Sequence, residues 1–282
     1  MLQRIITGAV LSAVAGTMIY FGQVPFAVAA LVCVCFALYE EIKALKAAGH
    51  RPIAEPTWVA LGVSIPLAVL FGHQVVLPIL TVAAVIIIAG IVFRSEPKLE
   101  DATMSLLPLF SVVLPGLAVV SLTQLEPLSV QRVMLLMLIA VPVLGDTFAY
   151  FIGSAVGGPK LCPAVSPNKT VAGALAGLAG SLLAAALIRL FAGILVSSPA
   201  TDLPTWGFCI AVGGIGGVAG QIGDLFASLV KRHCGIKDFS SIFPGHGGMM
   251  DRMDSILFMA LVLYCCMLLF YPGTVHATQL PV

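Results

Sequence analysis

With 282 residues, 60% of them hydrophobic and only 10% charged, and a mean hydropathy of +1.09, the chain cannot be a soluble domain closed around one core. Its formal net charge of +1 is close to neutral, and no nucleic-acid partner is expected. Nine apolar runs of roughly the ~20 residues that cross a bilayer follow one another, at 5–21, 23–42, 56–72, 75–93, 104–123, 131–155, 170–196, 205–230 and 253–271. The connections are short, which leaves no room for a separate soluble domain. The expected fold is therefore all-α: a polytopic membrane helical bundle of about nine transmembrane helices. It divides into amino-terminal helices (1–103) and a carboxyl-terminal catalytic region (104–282) with cytoplasmic loops at 156–169 and 231–252.

The first run is read as a permanent span. Ala27-Val28-Ala29 has the small-residue pattern of a signal cleavage site, but the apolar stretch continues through Leu31 and Phe36. Positive charge sets the orientation. Arg4, the basic residues after spans two, four and six, and Lys231, Arg232, Lys237 and Arg252 after span eight place twelve of the fourteen Lys and Arg on one side. The positive-inside rule makes that side the cytoplasm. The amino terminus is then cytoplasmic and the carboxyl terminus external, in the cell (inner) membrane. The seven cysteines show no zinc-ligand spacing, and no disulfide is expected.

Polar residues within the spans follow helical spacing. In span six, Asp146 and Tyr150 are four apart; in span eight, Gln221, Asp224, Ser228 and Lys231 form one stripe; at the start of span nine, Asp251 and Asp254 share a face. A bare carboxylate in hydrocarbon is costly, so each must neutralise, pair with a cation or hold a metal. The bland alternative is a set of structural ion pairs, Asp224 with Arg252 and Asp146 with Lys169. Three helices aiming carboxylates toward one membrane face, with five cations nearby, exceed what simple pairing needs. Gly213/Gly217 and Gly216/Gly220 fit small-xxx-small helix packing, within the subunit or against a second one.

Two loops complete the pattern. Ser166-Pro167-Asn168-Lys169-Thr170 opens span seven, with Ser166 or Thr170 as helix cap and Lys169 in the first turn, where a cation opposes the helix dipole unless an anion lies between them. Gly245-His246-Gly247-Gly248 precedes span nine, where glycine backbone and a helix amino terminus can approach an anion. Cations, carboxylates and this turn together point to a metal-assisted site for a phosphate-bearing substrate.

The run Ser228-x-x-Lys231-Arg232-x4-Lys237-Asp238-x-Ser240-x2-Phe243-Pro244-Gly245-His246-Gly247-Gly248-x-x-Asp251-Arg252-x-Asp254 resembles the signature of the CDP-diacylglycerol synthase (phosphatidate cytidylyltransferase) family. Gly145-Asp146-Thr147-x-Ala149-Tyr150-x-x-Gly153 and Ser166-Pro167-x-Lys169-Thr170 are similar to the family as well. The similarity in detail runs from about residue 140 onward. Asn168 and Ala172 stand where the family often has lysine and glutamate, so neither is a candidate.

The resemblance implies the reaction of CTP with phosphatidate to give CDP-diacylglycerol and pyrophosphate in phospholipid biosynthesis, by residues that match the motif position by position. Asp224, Asp251, Lys231, Arg252, Asp254 and His246 would be catalytic. Asp146, Tyr150, Ser166, Lys169, Thr170, Ser228, Arg232, Lys237, Gly247 and Gly248 would bind substrate. Mg²⁺, alone or with a second cation, would be held by Asp224 and Asp251 with Asp254 or Asp146 as supplementary ligands. The family also implies a homodimer. Because phosphatidate keeps its acyl chains in the bilayer, a cavity lined by spans six to nine should open both to the cytoplasm and sideways to lipid. The alternative reading is a transporter for an anionic, phosphate-bearing substrate, which would favour a midplane site and an inverted repeat.

Overall fold

The computed structural model describes residues 16–17, 23–196, 203–243, 245 and 247–271. The first expected span, 5–21, lies outside the described residues except for Gly16 and Thr17. Helix α1 (Gln23–Ala47) ends where Gly49 takes a φ of 93° and His50 N donates to Leu45 O at 3.2 Å. Helix α2 (Glu55–Phe71) begins with an acid and a proline in its first turn and stops at Gly72, φ 84°. A single 3₁₀ turn (His73–Val75) leads directly into α3 (Val76–Val92).

Helices α4 (Leu99–Pro108) and α5 (Leu114–Leu122) form one rod, joined by a π turn at Leu109–Val113. Pro108 and Pro115 each remove an i→i−4 donor and bracket that wide turn. Within it, Ser111 Oγ donates to Glu41 Oε2 of α1 at 2.7 Å. Helix α6 (Leu128–Val156) is followed by an antiparallel hairpin, β1 (Lys160–Cys162) and β2 (Ser166–Thr170), and then by α7 (Val171–Leu195), α8 (Trp206–His233) and α9 (Met250–Phe270).

Among the described residues, seven helices are long and apolar enough to cross a membrane, and α2 is a shorter apolar helix of 17 residues. The all-α polytopic architecture therefore stands; these eight helices among the described residues correspond to eight of the nine expected spans, and the ninth, 5–21, lies almost wholly outside them. Among the described residues the hairpin forms the one two-stranded sheet: the segment expected as a loop at 156–169 pairs Lys160 with Thr170 and Cys162 with Ser166.

Two apolar cores hold the bundle. One gathers α5 to α9 around Leu135, Met137 and Leu138; the other packs Leu38, Leu45, Ile87 and Leu109 beneath Met250 and Leu257 of α9. The amino-terminal helices are thus built onto the element that opens the signature's last segment. Glycine sets the helix spacing. A Cβ on Gly216 would lie 2.1 Å from Met259 Sδ, and one on Gly223 would lie 2.5 Å from the Asp254 carbonyl oxygen. Gly213 and Gly217 face Ser181 and Ala185 of α7 on the opposite side. Both glycine faces of α8 are therefore used within the chain.

Candidate active site

The polar residues converge where the carboxyl end of α8, the amino end of α9 and the β-hairpin meet. Thr170 is the cap of α7, its Oγ1 accepting from Gly173 N at 3.0 Å. Lys169 consequently sits in β2, one residue before the cap, and not in the first turn of a helix as expected. From there its ammonium pairs with Asp224 of α8. This differs from the bland alternative of purely structural pairs, Asp224 with Arg252 and Asp146 with Lys169. Both partners keep access to solvent, with side chains 30% and 26% exposed.

A second pair lies deeper. Lys231 Nζ donates to Asp251 Oδ1 at 2.6 Å, with side chains 11% and 3% exposed. Asp251 Oδ2 also accepts from Phe239 N and Gly248 N, each at 2.9 Å. Asp254, one turn further along α9, accepts from Ser255 N at 2.7 Å. Asp146, Asp224 and Asp254, from three different helices, lie close enough to repel one another. Lys169 and Arg252 offset the charge of Asp146, and Lys231 that of Asp254.

Asp146 is exposed on α6, within electrostatic reach of Asp224, Lys169 and Arg252. The α6 face around it is apolar and outward: Val143, Tyr150 and Phe151 are exposed, Tyr150 at 71%. Tyr150 thus stays on the outer face against Phe151, 5.5 Å between ring centroids, instead of joining the charged pairs. Gln221 ties α8 to α7 by donating to Ala174 O at 3.1 Å, and Ser228 is half-buried on the same stripe. Ser166 begins β2 opposite Cys162. Arg232 is exposed and donates to Ile236 O at 3.3 Å, closing the turn after α8.

The loop from Phe239 to Gly248 folds back on itself. Phe243 N donates to Gly247 O at 3.0 Å, and Gly245 and Gly247 take φ values of 78° and 81°, a region natural to glycine. His246 and Pro244, both in the expected motif, lie outside the described residues. A cavity of about 450 Å³ opens against this loop; its lining carries two cations, Lys237 and Arg252, and one acid, Asp238, beside Ser240, Phe243 and Gly247. Lys237 and Arg252 are exposed there, with no ion-pair partner within 4.0 Å among the described residues.

The amino end of α9 differs from the open anion cradle expected at Gly247 and Gly248. The amide of Gly248 is held by Asp251, while those of Met249 and Met250 donate to Glu40 of α1 at 3.0 and 2.8 Å. The cations facing the cavity carry its positive charge. Glu40 is the residue that motif reasoning missed. The available signal was an acid pair, Glu40-Glu41, near the end of a long apolar run in a chain with 13 acidic residues.

Fold and site together define a polytopic membrane protein with paired acids and bases beside a basic cavity. The sequence model of the cytidylyltransferase family matches residues 2–270, and the chain belongs to that family. Relatives named phosphatidate cytidylyltransferase include one from Bacillus subtilis (strain 168), 40% identical over 125 residues, which are 44% of this chain and 44% of the relative. One from Brucella abortus biovar 1 (strain 9-941) is 42% identical over 119 residues, 42% of this chain and 41% of the relative. One from Thermotoga maritima is 38% identical over 120 residues, 42% of this chain and 43% of the relative. The aligned stretches thus span less than half the length of these relatives.

Proposed function

We propose that this protein transfers the cytidylyl group of CTP to phosphatidate, giving CDP-diacylglycerol and pyrophosphate. The observation that carries the reading is the basic cavity at Lys237 and Arg252 beside the Lys169–Asp224 pair, on a membrane bundle of the cytidylyltransferase family. That its relatives are named phosphatidate cytidylyltransferase supports the same reaction.

A phosphate oxygen of phosphatidate attacks the α-phosphorus of CTP, a new P–O bond forms, and the α–β bridging bond breaks to release pyrophosphate. Two anions must approach, so positioning and charge neutralisation carry the catalysis, without a protein nucleophile. Lys237 and Arg252 hold the nucleotide phosphates in the cavity built by the loop outside the helices. The lipid phosphate reaches Asp146 and Asp224 from the apolar outer face of α6, with Lys169 as its cation. That face supports a sideways entry for a substrate whose acyl chains stay in the bilayer.

Mg²⁺ belongs to this proposal. Among the described residues, no three His, Cys, Asp or Glu side chains are gathered to enclose an ion by themselves. Magnesium does not require that, since it commonly takes one or two carboxylates and completes its shell with water and substrate phosphates. The donor chemistry supports the reading at Asp224, which is accessible and has Asp146 and Asp254 near it. Asp251 uses three of about four lone-pair sites on its carboxylate, which leaves one on Oδ1. Asp224 and Asp251 would hold the ion, with Asp254 or Asp146 supplementary. When bound, it supplies neutralisation of charge on the phosphate oxygens.

The positive-inside bias supports a site facing the cytoplasm. A homodimer would use surfaces other than the glycine faces of α8, which pack on α7 and α9. The reading is tested by pyrophosphate release from CTP by purified protein offered phosphatidate or diacylglycerol. Release with phosphatidate alone is expected; equal release with both, or with neither, contradicts it.

A further inference from the structure

We infer that Glu40 is a positioning residue of this site, contributed by α1 and acting through the loop that builds the cavity. Glu40 is 1% exposed. Its Oε1 accepts from Ser240 Oγ at 2.5 Å and Met249 N at 3.0 Å, and its Oε2 accepts from Met250 N at 2.8 Å. The carboxylate also packs flat on Gly248, where a Cβ would come 2.5 Å from Oε2 and 2.7 Å from Oε1. A side chain at 248 would push Glu40 away from all three donors.

Asp251 holds the same segment from the other side, through Phe239 N and Gly248 N. Consecutive residues at the start of the loop, Phe239 and Ser240, thus go to different carboxylates, and so do consecutive residues at its end, Gly248 and Met249. Between these two fastenings lie Ser241, Phe243, Gly245 and Gly247, all lining the cavity. Among the described residues, no cation is a hydrogen-bond partner of Glu40. Its buried charge is held by two amides at a helix amino terminus and one hydroxyl, the arrangement that favours a carboxylate there. A simple helix cap would engage α9 alone, whereas Glu40 also grips the far end of the loop.

The kinetic arm of the test rests on the cytidylyl-transfer reading; the exchange arm does not. Glu40→Gln keeps the volume but turns an NH₂ group toward a donor. With purified protein, KM for CTP should rise about tenfold, the scale of one charge-assisted hydrogen bond. KM for phosphatidate should stay unchanged and kcat should change less than KM for CTP. Ser240→Ala, which removes one of the three contacts, should shift KM for CTP in the same direction by less and serves where Glu40→Gln does not fold. Amide exchange of 239–250 should quicken in either variant, while that of α2 and α3 stays as in the unmodified protein. Unchanged KM for CTP with only lowered thermal stability would reduce Glu40 to a structural cap. A lower KM would make it a blocker of an anion site, and unchanged exchange at 239–250 would also overturn the inference. An unmodified protein inactive with CTP and phosphatidate would instead sink the functional reading, and the exchange result would still decide on Glu40.

Discussion

Lys231 and Asp251 are joined by a 2.6 Å contact that links the last turn of α8 to the first turn of α9, with the whole cavity loop between them. Both side chains are nearly out of contact with solvent. Lys231→Met leaves the Asp251 carboxylate buried with two amides and no cation, and should cost about 3 kcal/mol of stability. The double variant Lys231→Met, Asp251→Asn removes both charges, keeps an acceptor for the Phe239 and Gly248 amides, and should recover much of that loss while remaining inactive. Thermal unfolding in detergent beside a turnover assay checks this. A double variant as unstable as the single one would show that the pair is not the source of the effect.

The Lys169–Asp224 pair should behave in the opposite way. It is partly exposed, and pairs of this kind contribute about 1 kcal/mol or less to stability. Asp224→Asn and Lys169→Gln should therefore unfold almost as the unmodified protein does, yet each should lose about 100-fold or more in turnover if the pair meets substrate phosphate. Measuring activity against Mg²⁺ concentration separates the roles. Near-normal turnover of Asp224→Asn at ordinary Mg²⁺ would return this aspartate to a purely structural ion pair.

The glycine faces of α8 make a graded prediction. In Gly216→Ala the new methyl meets the flexible end of Met259, which can swing aside; in Gly223→Ala it meets the backbone oxygen of Asp254, which cannot. Gly223→Ala should cost about 2 kcal/mol and Gly216→Ala clearly less. Because Gly223 adjoins Asp224, its variant should also lose activity beyond what its melting temperature explains. Equal effects at the two positions would contradict the close approach of α8 and α9 at Asp254.

Much of the site could be read in the sequence because polar side chains stand out against hydrocarbon. Asp224, Lys231, Asp251 and Asp254 announce their helix faces by spacing, and the structure places those faces together. What spacing leaves open is partnership: that Lys169 goes to Asp224 depends on the hairpin carrying β2 over α8, and Ser-Pro-Asn-Lys-Thr has no alternation to mark a strand. The π turn at Leu109–Val113 follows from two prolines seven residues apart inside an apolar run that reads as ordinary helix. Glu40 was hidden differently. Its partners Ser240, Met249 and Met250 are 200 or more positions away, and its stretch of chain lacks the family motif.

The most direct test of the account follows the label from CTP. Purified protein in phosphatidate-containing vesicles is given CTP labelled at the α-phosphorus or at the γ-phosphorus, with and without Mg²⁺. The account predicts that the α label enters the lipid as CDP-diacylglycerol, that the γ label leaves as pyrophosphate, and that both depend on Mg²⁺ and on Asp224. Transfer of the γ label to lipid would make the protein a kinase, and no transfer of either label would contradict the catalytic reading outright.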